Sequence, residues 1–427
     1  MPNIGPVRES EMRRKLPAKP PPAARGPRLL LLVLVLVSLA GLAFALYGED
    51  LQRWRYQRLP TEALLLETRS RPEDLLLSET AGARLLNAGR ALEARDLLLP
   101  LVERAPLRVS LVILAGRAAW QAGDPETAGS LLHRAVEQAP TNPDARYWTA
   151  EFLYHRGYAG EARSVFQEVV QLSPEYGQAW CRLGEIELND EHYERALEQL
   201  NRAEKLRPSA ESAGYRAAAL RALGRVPEAK DAARAAYHRG PTAENAVLLG
   251  QILQLTPDSR SLQEAQALFR EAVRLNPQSV ESYKLLAINQ RSQGQHQEAV
   301  KTLRRMLRVA PAVSEGYLLL GQSYQALGNK PLADVVLRIY RTMEPQETRV
   351  SRAEYQANIS KGSLPAQLAL ARTYLDVGRQ DLAREVLGRV RRKSPEHPEM
   401  AALLWRAEGP PTLKIPALPA DPNGDAP

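Results

Sequence analysis

The stretch AWCRLGEIELNDEHYERALEQLNRAEKLRP, Ala179–Pro208, decides the fold. It packs a tryptophan, the chain's only cysteine, a glycine, several carboxylates and a histidine into thirty residues. Such density suggests chemistry, but its spacing recurs along the chain. Pro106, Pro140, Pro174 and Pro208 stand 34 residues apart, and Pro241, Pro277, Pro311, Pro345 and Pro395 continue the series. An alanine precedes each proline by twelve positions, from Ala94 through Ala196 to Ala383. A large apolar residue follows most of these alanines by four, as Leu200 follows Ala196.

The spacing predicts a helix, a turn and a second helix per period. Gly184 and Ala196 are small where two helices cross, and Leu200 is large where the next unit must be filled. Proline ends the second helix because it cannot continue the backbone ladder. Asn142 followed by Pro143 reads as an N-cap with proline in the first turn. Trp180, Leu183, Gly184, Ala196, Leu200, Ala203 and Pro208 together resemble the tetratricopeptide repeat, a unit of 34 residues. Gly82, Gly116, Gly250 and Gly321 repeat the small position, and Tyr324 and Tyr374 occupy the family's first-helix tyrosine position. The resemblance, over about residues 75–395, implies an all-α, right-handed α-solenoid of about nine helix–turn–helix units, which with a capping helix occupies residues 74–408.

Departures from the period carry expectations of their own. Gly250 to Ala265 spans 15 residues where Gly184 to Ala196 spans 12, and the surplus reads as a longer turn in TPDSRS. Pro345 to Pro395 spans 50, and ETRVSRAEYQANISKG reads as a linker or a short extra helix. Residues 48–73 read as a juxtamembrane helical segment. Residues 397–408 read as a capping helix with Trp405 against the last unit. The Pro-rich tail, 409–427, reads as disordered.

Leu29–Tyr47 is an uncharged run of 19 residues, about 28 Å as a helix and so close to a hydrocarbon core of about 30 Å. Residues 1–28 carry seven basic residues against Glu9 and Glu11. This pattern predicts one transmembrane signal-anchor, a cytoplasmic N-terminus and repeats outside the cytoplasm. The small residues of Ala43-Phe44-Ala45 keep a cleaved signal and an exported soluble protein as the alternative. The net charge of +8 resides mainly in the tail, so the body lacks the basic stripe of a nucleic-acid binder. One cysteine excludes an internal disulfide and a cysteine-rich metal site.

No phosphate-binding glycine loop, zinc-protease motif or nucleophile elbow occurs in the sequence. His133, His155, His192, His238, His296 and His397 fall in different units. The expectation is therefore a protein without catalytic, metal or cofactor residues. The resemblance implies a protein or peptide partner in a concave groove lined by first helices, with repeat positions 5, 9 and 12 facing it. On that register Arg117 and Trp120, Tyr147, Glu151 and Tyr154, and Cys181 and Glu185 line the groove, with Gln121, His155 and Asn189 beside them. Aromatic and arginine side chains are the usual anchors of protein contacts. The competing expectation is that Trp120 and Tyr154 only pack between successive first helices. Position 9 holds no asparagine and position 5 only one lysine, Lys284, so the family's clamp for a chaperone carboxylate is not matched. Layouts of an anchor followed by such repeats imply a scaffold in the assembly of a bacterial cell-envelope complex.

Overall fold

Each period of the sequence folds as two helices joined by a tight turn. The computed structural model describes residues 50–256, 258–360, 362–394, 396–409 and 417–421, and all regular structure among them is α-helical. The basic tail 1–28 and the apolar run Leu29–Tyr47 lie outside these residues. Among the described residues, no helix is long and apolar enough to cross a membrane.

Helix α1 (residues 50–58) and α2 (Thr61–Ser70) precede the repeats. The pairs are α3 (Leu75–Asn87) with α4 (Ala91–Arg104), α5 (Val109–Gln121) with α6 (Pro125–Gln138), and α7 (Pro143–His155) with α8 (Ala159–Leu172). Next come α9 (Gly177–Asn189) with α10 (Tyr193–Leu206), α11 (Ala210–Ala222) with α12 (Val226–Arg239), and α13 (Ala243–Gln254) with α14 (Ser259–Leu275). The last are α15 (Val280–Ser292) with α16 (His296–Val309), α17 (Ser314–Ala326) with α18 (Lys330–Ile359), and α19 (Leu364–Asp376) with α20 (Gln380–Lys393). Helix α21 (Met400–Glu408) follows.

The chain divides into two compact units, one ending at Val165 and one beginning at Phe166. In the first, Tyr56, Leu64, Leu77 and Ala81 form a small core that seats α1 and α2 on α3. Tyr56 donates to Asp74 Oδ2 at 2.6 Å, while Asp74 Oδ1 caps α3 through the Leu77 amide at 2.9 Å. A larger core holds Leu98, Leu111, Val112, Ala115 and Ala145. In the second unit, clusters of buried residues follow the chain over α9–α15, over α15–α18 and over α18–α21.

Local chemistry sets the helix boundaries. Asn142 Oδ1 accepts from the amides of Asp144 and Ala145, and Pro143 begins α7, as its sequence predicts. Glycines with φ of 71–87° close several first helices, Gly123, Gly157 and Gly224 among them. After α9 the same left-handed turn falls on Glu191, with φ 63°.

The small and large positions of the period are two sides of one contact. A Cβ on Gly184 would lie 2.5 Å from Leu200 Cγ; one on Gly82 would lie 2.6 Å from Leu98, and one on Gly321 2.6 Å from Leu337. Alanine in place of a mid-helix glycine ordinarily gains about 1 kcal/mol. Here the clash with a fully buried Leu200 opposes that gain with an overpacking cost of about 1–3 kcal/mol. Gly184→Ala is therefore expected to lower stability in urea denaturation. A stabilised variant would mean that Leu200 turns aside without cost.

Four expectations are corrected. The surplus residues before Ala265 do not all lengthen a turn: Asp258 caps α14 through the Ser261 amide at 2.9 Å, and α14 starts at Ser259 and runs 17 residues. The residues after Pro345 are neither a linker nor a separate helix. Helix α18 continues through Pro345 for 30 residues. What holds the extension is its contacts. Glu347 accepts from the Ser314 amide at 2.8 Å and from the Ser314 hydroxyl, capping α17 where Val313 has no side chain to do so. Val350 and Ala357 are buried, and Glu354 accepts from Tyr374 at 2.7 Å. Trp405 does not face the last unit. It is 77% exposed, while Met400, Leu403 and Ala407 bury α21. Finally, residues 417–421 of the tail are not free chain: Asp421 is buried and Leu418 packs on the α15–α18 core.

Candidate functional site

The ten residues singled out in the sequence fall on the three first helices α5, α7 and α9. The division between the compact units separates them: α5 and α7 lie in the first unit, α9 in the second.

In the first unit, the last turns of α5 and α7 meet through rings and a guanidinium. Arg117 stacks on Trp148, with its guanidinium carbon 3.6 Å from the ring centroid. Trp120 meets Phe152 edge-on at 6.1 Å and His155 at 5.1 Å. Tyr154 stands edge-on to His155 at 5.7 Å, and Tyr147 edge-on to Trp148 at 5.2 Å. His155 Nε2 lies 3.7 Å from Glu151 Oε2, with the histidine half-exposed and the carboxylate buried. Gln121 ends α5 on the exposed side. The arrangement is a row of aromatic groups with a cation at one end and an imidazole at its open edge.

Trp148 and Phe152 are the residues that sequence reasoning missed. They are the partners that hold Arg117 and Trp120. The signal was present: Trp148, Phe152 and His155 fall at i, i+4 and i+7, one stripe of α7. For Trp120 the packing expectation therefore holds, since its ring is engaged by the next first helix. Tyr154 and His155 remain at the edge.

In the second unit the prediction fares differently residue by residue. Cys181 does not face a groove. It is buried in the core with Ala196, Leu197 and Leu200. Glu185 is largely buried and pairs with Arg182 at 2.8 Å, and Arg182 also donates to Glu211 at 2.6 Å. Burial raises the Tyr215 hydroxyl pKa well above its ordinary value, and the neighbouring Glu185 carboxylate raises it further. Asn189 is exposed at the end of α9.

Polar ties between successive first helices recur along the second unit. Arg221 donates to Gln251 at 2.8 Å, Arg291 to Gln322 at 2.7 Å, and Lys284 lies 2.9 Å from Glu281 and 3.4 Å from Glu315. Glu211, Glu281 and Glu315, each in the first turn of its helix, thus each meet a cation of this chain. Among the described residues, no group of three or more histidine, cysteine or acidic side chains is placed to hold a metal ion. A cleft of about 350 Å³ lies in the first unit against Glu79, Arg84, Ser110 and Leu114, away from the ten predicted residues.

Models of the family described as tetratricopeptide repeat match residues 80–143, 113–177, 181–244 and 258–322, together more than half of the chain. No curated protein matches. Among solved structures, the chain is similar to TTC0263, a thermophilic TPR protein of Thermus thermophilus. The identity is 22% and the TM-score 0.35, covering 42% of this chain and 98% of that one. It is similar to pilF of Pseudomonas aeruginosa at 17% identity and TM-score 0.45, covering 52% and 99%. It is similar to YrrB, described as a TPR protein with an unusual peptide-binding site, at 15% identity and TM-score 0.37, covering 42% and 92%.

Proposed function

Because the chain belongs to the tetratricopeptide-repeat proteins, we propose that it works as a protein-binding scaffold, tethered to a membrane by Leu29–Tyr47 with its repeats outside the cytoplasm. Its task on this reading is to hold other proteins during assembly of a bacterial cell-envelope complex. The observation that carries the binding role is the aromatic row of α5 and α7. Trp120, Phe152 and the Arg117–Trp148 stack fix a rigid base, and Tyr154 and His155 stand at its edge. Such groups give large contact area at small entropic cost, which suits a peptide or a partner helix.

The test is crosslinked recovery of partners from intact membranes. Trp120 is engaged in packing, so the informative variant is Tyr154→Ala with His155→Ala. It is expected to reduce partner recovery at least tenfold with an unchanged circular dichroism spectrum. Equal recovery would overturn the assignment of this face. The anchor has its own readout. The intact N-terminus should remain in carbonate-washed membranes, and a soluble form beginning at Leu46 would replace the anchor with the cleaved signal.

A further inference from the structure

Residues 417–421, Ala-Leu-Pro-Ala-Asp, are seated in the seam between α16 and α17. Arg304 of α16 donates from Nη2 to the Pro419 carbonyl at 2.9 Å and from Nη1 to the Tyr324 hydroxyl at 3.2 Å. Tyr324 of α17 in turn donates to Asp421 Oδ2 at 2.7 Å. Leu418 packs on the core that includes Leu303, Leu307, Leu320 and Tyr324. Arg304 is 3% exposed, Tyr324 2% and Asp421 5%.

The burial of Arg304 is out of keeping with its register. It follows the large second-helix residue, Leu303. Of the residues in the same place elsewhere, His133, Gln167, Asn201, Arg270 and Arg338 are exposed, and Leu99, Arg234 and Gly388 are half-buried. The position faces outward, and at Arg304 the tail segment is what lies over it.

The next repeat shows what the tail segment stands in place of. Tyr374 stands 50 residues after Tyr324, and Glu354 stands ten residues before α19 as Arg304 stands ten before α17. There the tyrosine hydroxyl finds its acceptor within the repeats, on Glu354 at 2.7 Å. In the α16–α17 seam a guanidinium replaces that carboxylate. Arginine has donors only. The pair Arg304–Tyr324 thus presents N–H and O–H groups together, which a carbonyl and a carboxylate can meet. The tail supplies both, spaced two residues apart.

We infer that the α16–α17 seam is a binding site for an extended peptide of the form aliphatic–Pro–x–Asp, and that the chain's own residues 417–421 occupy it in cis. An acidic segment of the same form on another protein would compete for it. Being part of the same chain, the cis segment meets the seam at an effective concentration on the order of millimolar, so a free peptide of equal intrinsic affinity is largely excluded. This site is independent of the α5–α7 face and does not rest on its assignment.

The test uses the full chain and a fluorescein-labelled, C-terminally amidated peptide of residues 417–421, read by fluorescence anisotropy. Leu418→Ser with Asp421→Ala opens the seam and is expected to bind the peptide at least tenfold more tightly than the unaltered chain. Adding Tyr324→Phe, which removes one hydroxyl and leaves the ring in place, is expected to weaken that binding about tenfold with the melting temperature checked in parallel. A peptide with Asp replaced by Asn should bind the opened chain more weakly as well. No binding to the opened chain, equal binding to the opened and unaltered chains, or indifference to both Tyr324→Phe and the Asn peptide would each overturn the inference.

Discussion

Phe269→Ala is expected to destabilise the second unit by about 3–5 kcal/mol, the range for removing a fully buried aromatic side chain. Phe269 has no exposed surface. Its ring occupies the space over Gly250, where a Cβ would lie 2.6–3.1 Å from three ring carbons. The glycine has no side chain to move into the gap. The surrounding Ala265, Ala272 and Leu253 are also buried, so the cavity stays largely open. Because each repeat is stabilised by its neighbours, the loss should appear as earlier local unfolding of α13 and α14 as well as a lower urea midpoint. Amide exchange resolved along the chain separates the two. A loss under about 1 kcal/mol would show that the repeat collapses onto the gap.

The second large effect concerns a charge. Glu79 on α3 is buried, with 7% of its side chain exposed, and three donors meet it. Arg108 approaches in a fork, Nε at 2.6 Å from one oxygen and Nη2 at 3.0 Å from the other, and the Ser110 hydroxyl donates at 2.8 Å. Arg108→Met removes the fork and leaves a buried carboxylate with fewer partners. Breaking a buried pair from one side costs about 3–5 kcal/mol. Arg108 is 29% exposed, which places the expected loss near 3 kcal/mol. Glu79→Gln combined with Arg108→Met removes the stranded charge and should recover at least half of it. If the single variant loses under about 0.5 kcal/mol in urea denaturation, water reaches Glu79 and the pair is a surface one.

Much of this fold was legible because its period is a packing distance written in residue types. Gly184 and Leu200 are a single contact, so a glycine followed sixteen residues later by leucine marks a helix crossing at Gly82, Gly116 and Gly321 too. Helix boundaries were less legible where tertiary contacts override a local signal. Pro345 reads as a stop, because a proline in a helix interior removes one backbone bond. The capping of α17 by Glu347 and the burial of Val350 and Ala357 outweigh that loss, so α18 continues. The candidate face was legible in part. Position counting singled out Trp120 and Arg117, whereas their partners Trp148 and Phe152 depend on which stripe of α7 turns toward α5. Cys181 was misplaced by the same counting, since a small residue there is drawn into the core beside Leu197 and Leu200. The seating of residues 417–421 had no local signal at all. It depends on Arg304 standing as far before α17 as Glu354 stands before α19, a pairing that only becomes visible once the two seams are laid side by side.

Helix α18 has a bearing on how the second unit loosens. A solenoid usually frays one repeat at a time, since each repeat touches only its neighbours. Thirty residues of continuous helix, about 45 Å long, cross that pattern. Its first half buries Ala333, Val336 and Met343 in one cluster, and its second half buries Val350 and Ala357 in the next. One hydrogen-bonded rod therefore belongs to two cores. Releasing either core breaks the rod's hold on the other, so α15–α21 should open as one block: a splint across the joint at which the array would otherwise come apart.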